Sequence, residues 1–208
     1  MLSATEIVDL HDRRTRDWHQ LPDQSDAPAP AIKASSDWLS LVSRQHRANF
    51  ELWHIEDEAR APGASERELA DVKRRVDSTN QRRNDLAEQM DHALLAYLHA
   101  RSLPRPEAPL HSESPGLIID RLSILALKIY HTREEACRID APAGHDERNL
   151  ERLAILTEQR TDLAYCLDAL WAETLAGKRR FKLYRQLKMY NDPSLNPAVY
   201  RKLVKEQN

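Results

Sequence analysis

His46-Arg47-Ala48-Asn49-Phe50-Glu51-Leu52-Trp53-His54-Ile55-Glu56-Asp57-Glu58-Ala59-Arg60 is followed, after Ala61-Pro62-Gly63, by a second long run from Ser65 to Asp91. Read at helical spacing, the first run places His46, Asn49, Trp53, Glu56 and Arg60 on one line,. A neighbouring line of Leu41, Gln45, Ala48, Leu52, Ile55 and Ala59 is mostly apolar and faces inward,. Ser65-Glu66-Arg67-Glu68 has the spacing of a capping box and opens the second helix,. Its seam is Leu69, Val72, Val76, Thr79, Arg83, Leu86, Met90 and Tyr97, beside a polar line of Lys73, Asp77, Asn80, Asn84, Glu88 and Asp91.

So short a connection makes the two helices an antiparallel hairpin. Level pairing then sets Glu56 near Lys73, Asn49 near Asp77 and Asn80, and His46 near Asn80 and Arg83. Half-buried charges are costly unless paired, so the two polar lines are expected to form a satisfied network.

Working outward, a helix-opening pair Ser3 and Glu6 starts an N-terminal helix over residues 1–19, with Ile7, Leu10 and Trp18 inward and His11 and His19 flanking them,. Residues 20–34 hold Pro22, Pro28 and Pro30 and read as a surface connector,. The hairpin occupies 35–101, its second helix spanning roughly 55 Å at ~1.5 Å per residue unless it kinks near Arg82 and Arg83. Residues 102–114, with Pro104, Pro106 and Pro109, are a second surface connector. Leu117 to Tyr130 is hydrophobic nearly all round, which marks a central helix with Ser114 as N-cap and Pro115 at its first position,. Arg121 and Lys128 share one of its faces beside Asp120, and that face is expected to meet the polar lines of the hairpin. A last long helix runs from about Asp146 to Ala176, with Leu153, Leu156, Leu163, Leu167 and Leu170 inward, Arg160 interrupting that line, and Gly177 as its stop,.

The expected fold is therefore all-α: one domain over residues 1–208, a bundle of five or six helices ending in a basic segment over 178–208. With 31% charged residues, only four glycines and few β-branched runs, the 208-residue chain has no need of a strand,. The net charge of -2 divides unevenly, because residues 178–208 carry nine Lys or Arg against Asp192 and Glu206. Attraction to phosphate polymers would have to come from that segment, where Phe181, Tyr184 and Tyr190 alternate with cations, but the negative remainder makes nucleic acid the least favoured partner. Cys137 and Cys166 lack metal-ligand spacing and are expected to be buried, reduced thiols. No stretch approaches the ~20 apolar residues of a membrane span, and no export signal opens the chain. The expected compartment is the cytoplasm.

Three chemistries fit the hairpin. The first binds a small anionic ligand, a nucleotide or sugar nucleotide, with Lys73, Arg83, Arg121 and Lys128 against phosphate, Trp53 as a stacking wall, Asn49, Arg60, Asn80, Asn84 and Asp120 completing the cleft, and His46, Glu56 or Asp77 as general base. The second is a divalent-metal-dependent nucleotide hydrolase. Its ion needs oxygen ligands within about 2.1 Å, whereas the hairpin separates Glu56 from Glu88 by roughly 27 Å, so only Glu56, Asp57 and Asp77 remain as ligands. The third is a non-catalytic scaffold whose polar network fixes register and whose exposed faces serve a partner or a second copy in a homo-oligomer. The residues identify no cofactor and do not choose between binding and catalysis.

Four blocks carry a family resemblance: Asn49-x-x-Leu52-Trp53-x-x-Glu56-Asp57-x-Ala59-Arg60; Lys73-x-x-x-Asp77-x-x-Asn80-Gln81-x-Arg83-Asn84-Asp85; Pro115-Gly116-x-Ile118-Ile119-Asp120-Arg121-Leu122-Ser123-Ile124-Leu125; and Tyr184-Arg185-Gln186-x-Lys188-Met189-Tyr190-Asn191-Asp192-Pro193. Together they resemble a bacterial domain family of unknown function, DUF4254, over nearly the whole chain. The resemblance implies no reaction. Members of that family sit among genes for lipopolysaccharide and surface-glycan assembly, which favours the sugar-nucleotide reading by association.

Overall fold

The computed structural model describes residues 2–20, 34–60, 62–185 and 194–197, with the side chains of α2 described from Trp38 onward. Five helices follow in order: α1 (Ala4–Gln20), α2 (Ala34–Glu58), α3 (Glu66–His99), α4 (Pro115–Ala136) and α5 (His145–Leu175). The proline-bearing connector after α1, Lys188 and Tyr190 lie outside the described residues. Among the described residues there is no strand, only an isolated bridge between Leu110 and Arg180, and the all-helical expectation holds.

α4 occupies the centre because it has almost no polar side to give to water. It packs on each of the other four helices, and Ile118, Ile119, Leu122, Ala126, Leu127 and Ile129 are all buried. α2 and α3 form the expected hairpin. Ser65 caps α3 in the reciprocal manner its sequence announces, accepting from the Glu68 amide while the Glu68 carboxylate accepts from the Ser65 amide at 2.8 Å. α3 continues without a break for 34 residues, about 51 Å at ~1.5 Å per residue,.

The side-chain pairs across the hairpin fall about two turns beyond level pairing,. The observed cross-pairs are Arg75 with Glu58, at 2.5 and 2.9 Å, and Arg82 with Glu51. Helical side chains lean toward their own N-terminus. In an antiparallel pair, both partners therefore reach toward lower residue numbers, and charged tips that meet belong to residues further along each helix than their Cα levels suggest. Lys73 consequently misses Glu56 and pairs with Asp77 on its own helix.

α4 crosses α3 closely at Gly116, where a Cβ would stand 2.5 Å from the Ala87 carbonyl oxygen and 2.9 Å from the Asp91 carboxylate. Asp91 fills the role expected of Ser114: it accepts from the Gly116 amide at 2.7 Å and from the Ser114 hydroxyl, while Ser114 caps nothing with its own side chain. α1 begins in the same way, with the Ala4 amide donating to Asp168 of α5 at 2.9 Å. Arg160, the cation in the α5 apolar line, is drawn to Asp12 of α1 at 2.8 Å.

Gly177 ends α5 in the left-handed region (φ 69°). The chain then turns back, and Arg180 and His111 exchange backbone bonds with the second connector: Arg180 N to Pro109 O at 3.0 Å and His111 N to Arg180 O at 2.7 Å. Phe181 enters the core here, so the start of the basic segment is anchored. Cys137 and Cys166 are both exposed, contrary to expectation. Cys137 caps the end of α4 after a charged turn, and Cys166 sits on the outward side of α5. No helix is long and apolar enough to cross a membrane.

Candidate functional site

At the junction of α2, α3 and α4 lies Asp120, buried, with every donor it needs. Arg83 approaches it with two nitrogens, Nε at 2.7 Å and an Nη at 2.5 Å, while Gln45 and Asn49 donate to Oδ1 at 2.5 and 2.9 Å. Planar guanidinium matches carboxylate in this way, and the Asp120 carboxylate in turn raises the Arg83 pKa,. The lone charge in the α3 seam is thus there to meet the buried carboxylate of the central helix.

The network continues into the core. Asn49 Nδ2 also donates to Ser123 Oγ at 2.9 Å, and Ser123 Oγ lies 2.7 Å from His46 Nδ1. His46 Nε2 faces the His11 carbonyl at 3.1 Å and Thr15 Oγ1 at 2.9 Å. A carbonyl only accepts, so Nε2 carries the proton and Nδ1 accepts from Ser123. Burial pushes the His46 pKa down to about 3, opposed by the bond to the His11 carbonyl, and it also drives His11 well below its usual range, with His46 and Arg160 adding to the effect. His46 is thus a neutral core residue with both ring nitrogens occupied. It faces α1 rather than Asn80, buried and outside the cavity lining.

Beside this network is a cavity of about 370 Å³ lined by Asn49, Trp53, Glu56, Asp57, Arg60 and Arg83 over an apolar floor of Leu52, Ile124 and Leu127. Of the three bases singled out from sequence, Glu56 alone lines it. Arg60 lies at the surface, its Nη1 on the Glu56 carbonyl at 2.5 Å and its other Nη 3.3 Å from the Glu56 carboxylate. Asn80 touches Arg83 at 3.4 Å, and Asn84 is half-buried on α3 outside the cavity lining. Lys73 and Asp77 lie nearer the start of α3, toward solvent.

Arg121 and Lys128 do share a face, but not the one that carries Asp120. They line a different, larger groove of about 770 Å³ between α4 and α5, with Gln159, Asp162 and Cys166 opposite, and Arg121 pairs with Glu113 at 2.8 Å. Neighbouring positions on a helix point about 100° apart, so Asp120 and Arg121 look into different spaces. The single cleft expected from sequence is two.

A third constellation joins elements that sequence spacing does not connect. His19 of α1, His54 of α2 and His131 of α4 each bring a ligand atom within 4.8 Å of the other two, a grouping with the composition to hold a metal ion. Tyr130 stacks on His19 at 4.3 Å between ring centroids, and Trp53 stacks on His131 at 4.8 Å. Trp53 therefore stands in both the cavity and the histidine group. The carboxylates expected as ligands are not grouped: Asp77 is engaged with Lys73 on α3, away from the cavity that Glu56 and Asp57 line.

The family model described as "Protein of unknown function (DUF4254)" matches residues 39–183, which takes in most of α2, all of α3 to α5 and the Phe181 anchor. No curated protein and no solved structure matches this chain.

Proposed function

This chain belongs to the DUF4254 family, and we propose that its cavity between α2, α3 and α4 binds a small phosphorylated sugar, free or as part of a sugar nucleotide used in surface-glycan assembly. The observation that carries the reading is that Asn49, Trp53, Glu56 and Arg60, four of the five residues on the polar line that opens the hairpin, converge on one cavity with an apolar floor. At about 370 Å³ it is at the small end of ligand pockets, which run from ~300 to ~1,000 Å³,. One ring with its substituents fits, and a nucleoside would lie outside.

The aromatic wall suits the apolar face of a sugar ring. Glu56, Asp57 and the Asn49 amide suit its hydroxyls. The phosphate goes to Arg60 at the rim. An exposed i,i+4 ion pair is worth only ~0.3–0.5 kcal/mol, so Arg60 leaves Glu56 for a phosphate at little cost. Arg83 stays on Asp120 and holds the floor in place. Glu56 and Asp57 are the groups of the cavity suited to take a proton, and binding is the primary activity proposed.

Titration calorimetry of the full chain against hexose phosphates, nucleoside diphosphate sugars and the free sugars tests this. The expected result is saturable binding by a phosphorylated sugar, abolished in Trp53→Ala and weakened about tenfold in Arg60→Ala, as for loss of a charge-assisted bond. Absence of binding across the panel, or wild-type affinity in Trp53→Ala, overturns it.

A further inference from the structure

We propose that His19, His54 and His131 form a binding site for one divalent first-row transition ion, Zn²⁺ by preference, through their three Nε2 atoms. The proposal stands independently of the sugar-phosphate reading. Its first support is the tautomer each ring is made to adopt. His19 Nδ1 lies 2.7 Å from the Thr15 carbonyl and His54 Nδ1 lies 2.8 Å from the Phe50 carbonyl, each one turn back on its own helix. Carbonyls only accept, so both Nδ1 atoms are protonated and both Nε2 atoms keep a lone pair. His131 Nδ1 meets the Glu134 carboxylate at 3.0 Å, which fixes the same tautomer.

The second support is what those lone pairs lack. His19 Nε2 and His131 Nε2 are buried without any hydrogen-bond partner. Unpaired buried polar atoms are rare and cost about 1–3 kcal/mol each. Two of them in one place, converging with a third imidazole within 4.8 Å, point to something that accepts electron pairs.

The third is the outer shell. Metal-binding histidines characteristically donate their other ring N–H to a carbonyl or carboxylate, which orients the ring and raises its basicity, and all three rings do so here.

Tetrahedral Zn–N bonds of ~2.0–2.1 Å place nitrogens ~3.3 Å apart, so the rings close in by no more than about 1.5 Å on loading,. Three imidazoles select zinc, copper, nickel or iron over magnesium and calcium, which take oxygen. Three protein ligands also leave a fourth position for water or a ligand oxygen, the arrangement of catalytic rather than structural zinc. Trp53, stacked on His131 and lining the adjoining cavity, is a wall common to both sites.

The experiment strips the full-length protein with chelator and adds Zn²⁺, Co²⁺ or Mg²⁺. One Zn²⁺ per chain with a raised Tm, a tetrahedral Co²⁺ visible spectrum and no response to Mg²⁺ are expected. His54→Ala should lose the Co²⁺ spectrum and weaken Zn²⁺ at least about 100-fold, while His99→Ala, at an exposed position, should change neither. Should His54→Ala not fold, Glu134→Gln, which keeps all three ligands and exchanges one outer-shell carboxylate for a neutral amide carbonyl, is expected to weaken Zn²⁺ about tenfold. Failure to take up one Zn²⁺, or unchanged affinity in the variant that folds, overturns the site.

Discussion

Asp120 is the residue on which the buried polar chemistry turns, since it takes bonds from Gln45, Asn49 and Arg83 at once. Removing it leaves the half-buried Arg83 charge without a counterion. Asp120→Ala should therefore cost about 2–3 kcal/mol in urea denaturation, below the ~3–5 kcal/mol of a fully buried broken pair, and Asp120→Asn should cost less because one acceptor remains. His46 makes stability depend on pH. Its pKa is about 3 folded and 6.5 in the ordinary state, so below pH 6.5 the unfolded chain takes up a proton that the folded chain refuses,. Its contribution is complete above that pH and declines as pH falls, by about 2 kcal/mol at pH 5. His11 acts in the same direction. Asp91 opposes them: burial raises its pKa from 3.8 to about 6, so the folded chain holds that proton more tightly and gains stability as pH falls through 6. Two histidines outweigh one carboxylate, and the urea midpoint should be lower at pH 5 than at pH 7. A midpoint that rises instead would mean the histidines reach solvent.

Two of the five helices begin on a carboxylate borrowed from another helix, α1 on Asp168 and α4 on Asp91. Such caps leave no trace in local sequence. Ser65 and Glu68, three residues apart, were readable as a cap, whereas Ser114 and Pro115 correctly marked where α4 starts but not what holds it. The close crossing that brings Asp91 to α4 depends on Gly116. Gly116→Ala should destabilise by about 1–3 kcal/mol, because the obstruction is the Ala87 backbone carbonyl, which cannot swing aside,. Ser65→Ala, on an exposed end, should cost about 1 kcal/mol. Thermal melts that rank these two the other way would show that α3 and α4 separate easily. The faces of α4 were only half legible for a related reason. A seven-residue spacing put Arg121 with Lys128, but the single step from Asp120 to Arg121 turns the helix by ~100° and sends them into different spaces.

At the scale of the whole molecule, helix number, order and the central position of α4 follow from apolar periodicity, since a helix that is apolar nearly all round must be surrounded. The histidine group was not legible in this way. Its members belong to α1, α2 and α4, share no periodic spacing, and meet only after the helices pack. His19 even precedes the family-matched range that holds the other two. The far end is closed by Phe181, which pins the chain after α5 against the second connector. Phe181→Ala should cost about 3–5 kcal/mol and expose residues 102–114 to limited proteolysis before the hairpin is cut. The outward placement of Cys137 and Cys166 gives the molecule two native attachment points. A maleimide dye on Cys166 stands in the groove of Arg121 and Lys128, and one on Cys137 stands beside α1. Each single-cysteine version would thus report optically on a different flank, and an anion that dims only the first dye has settled in that groove and not beside Trp53.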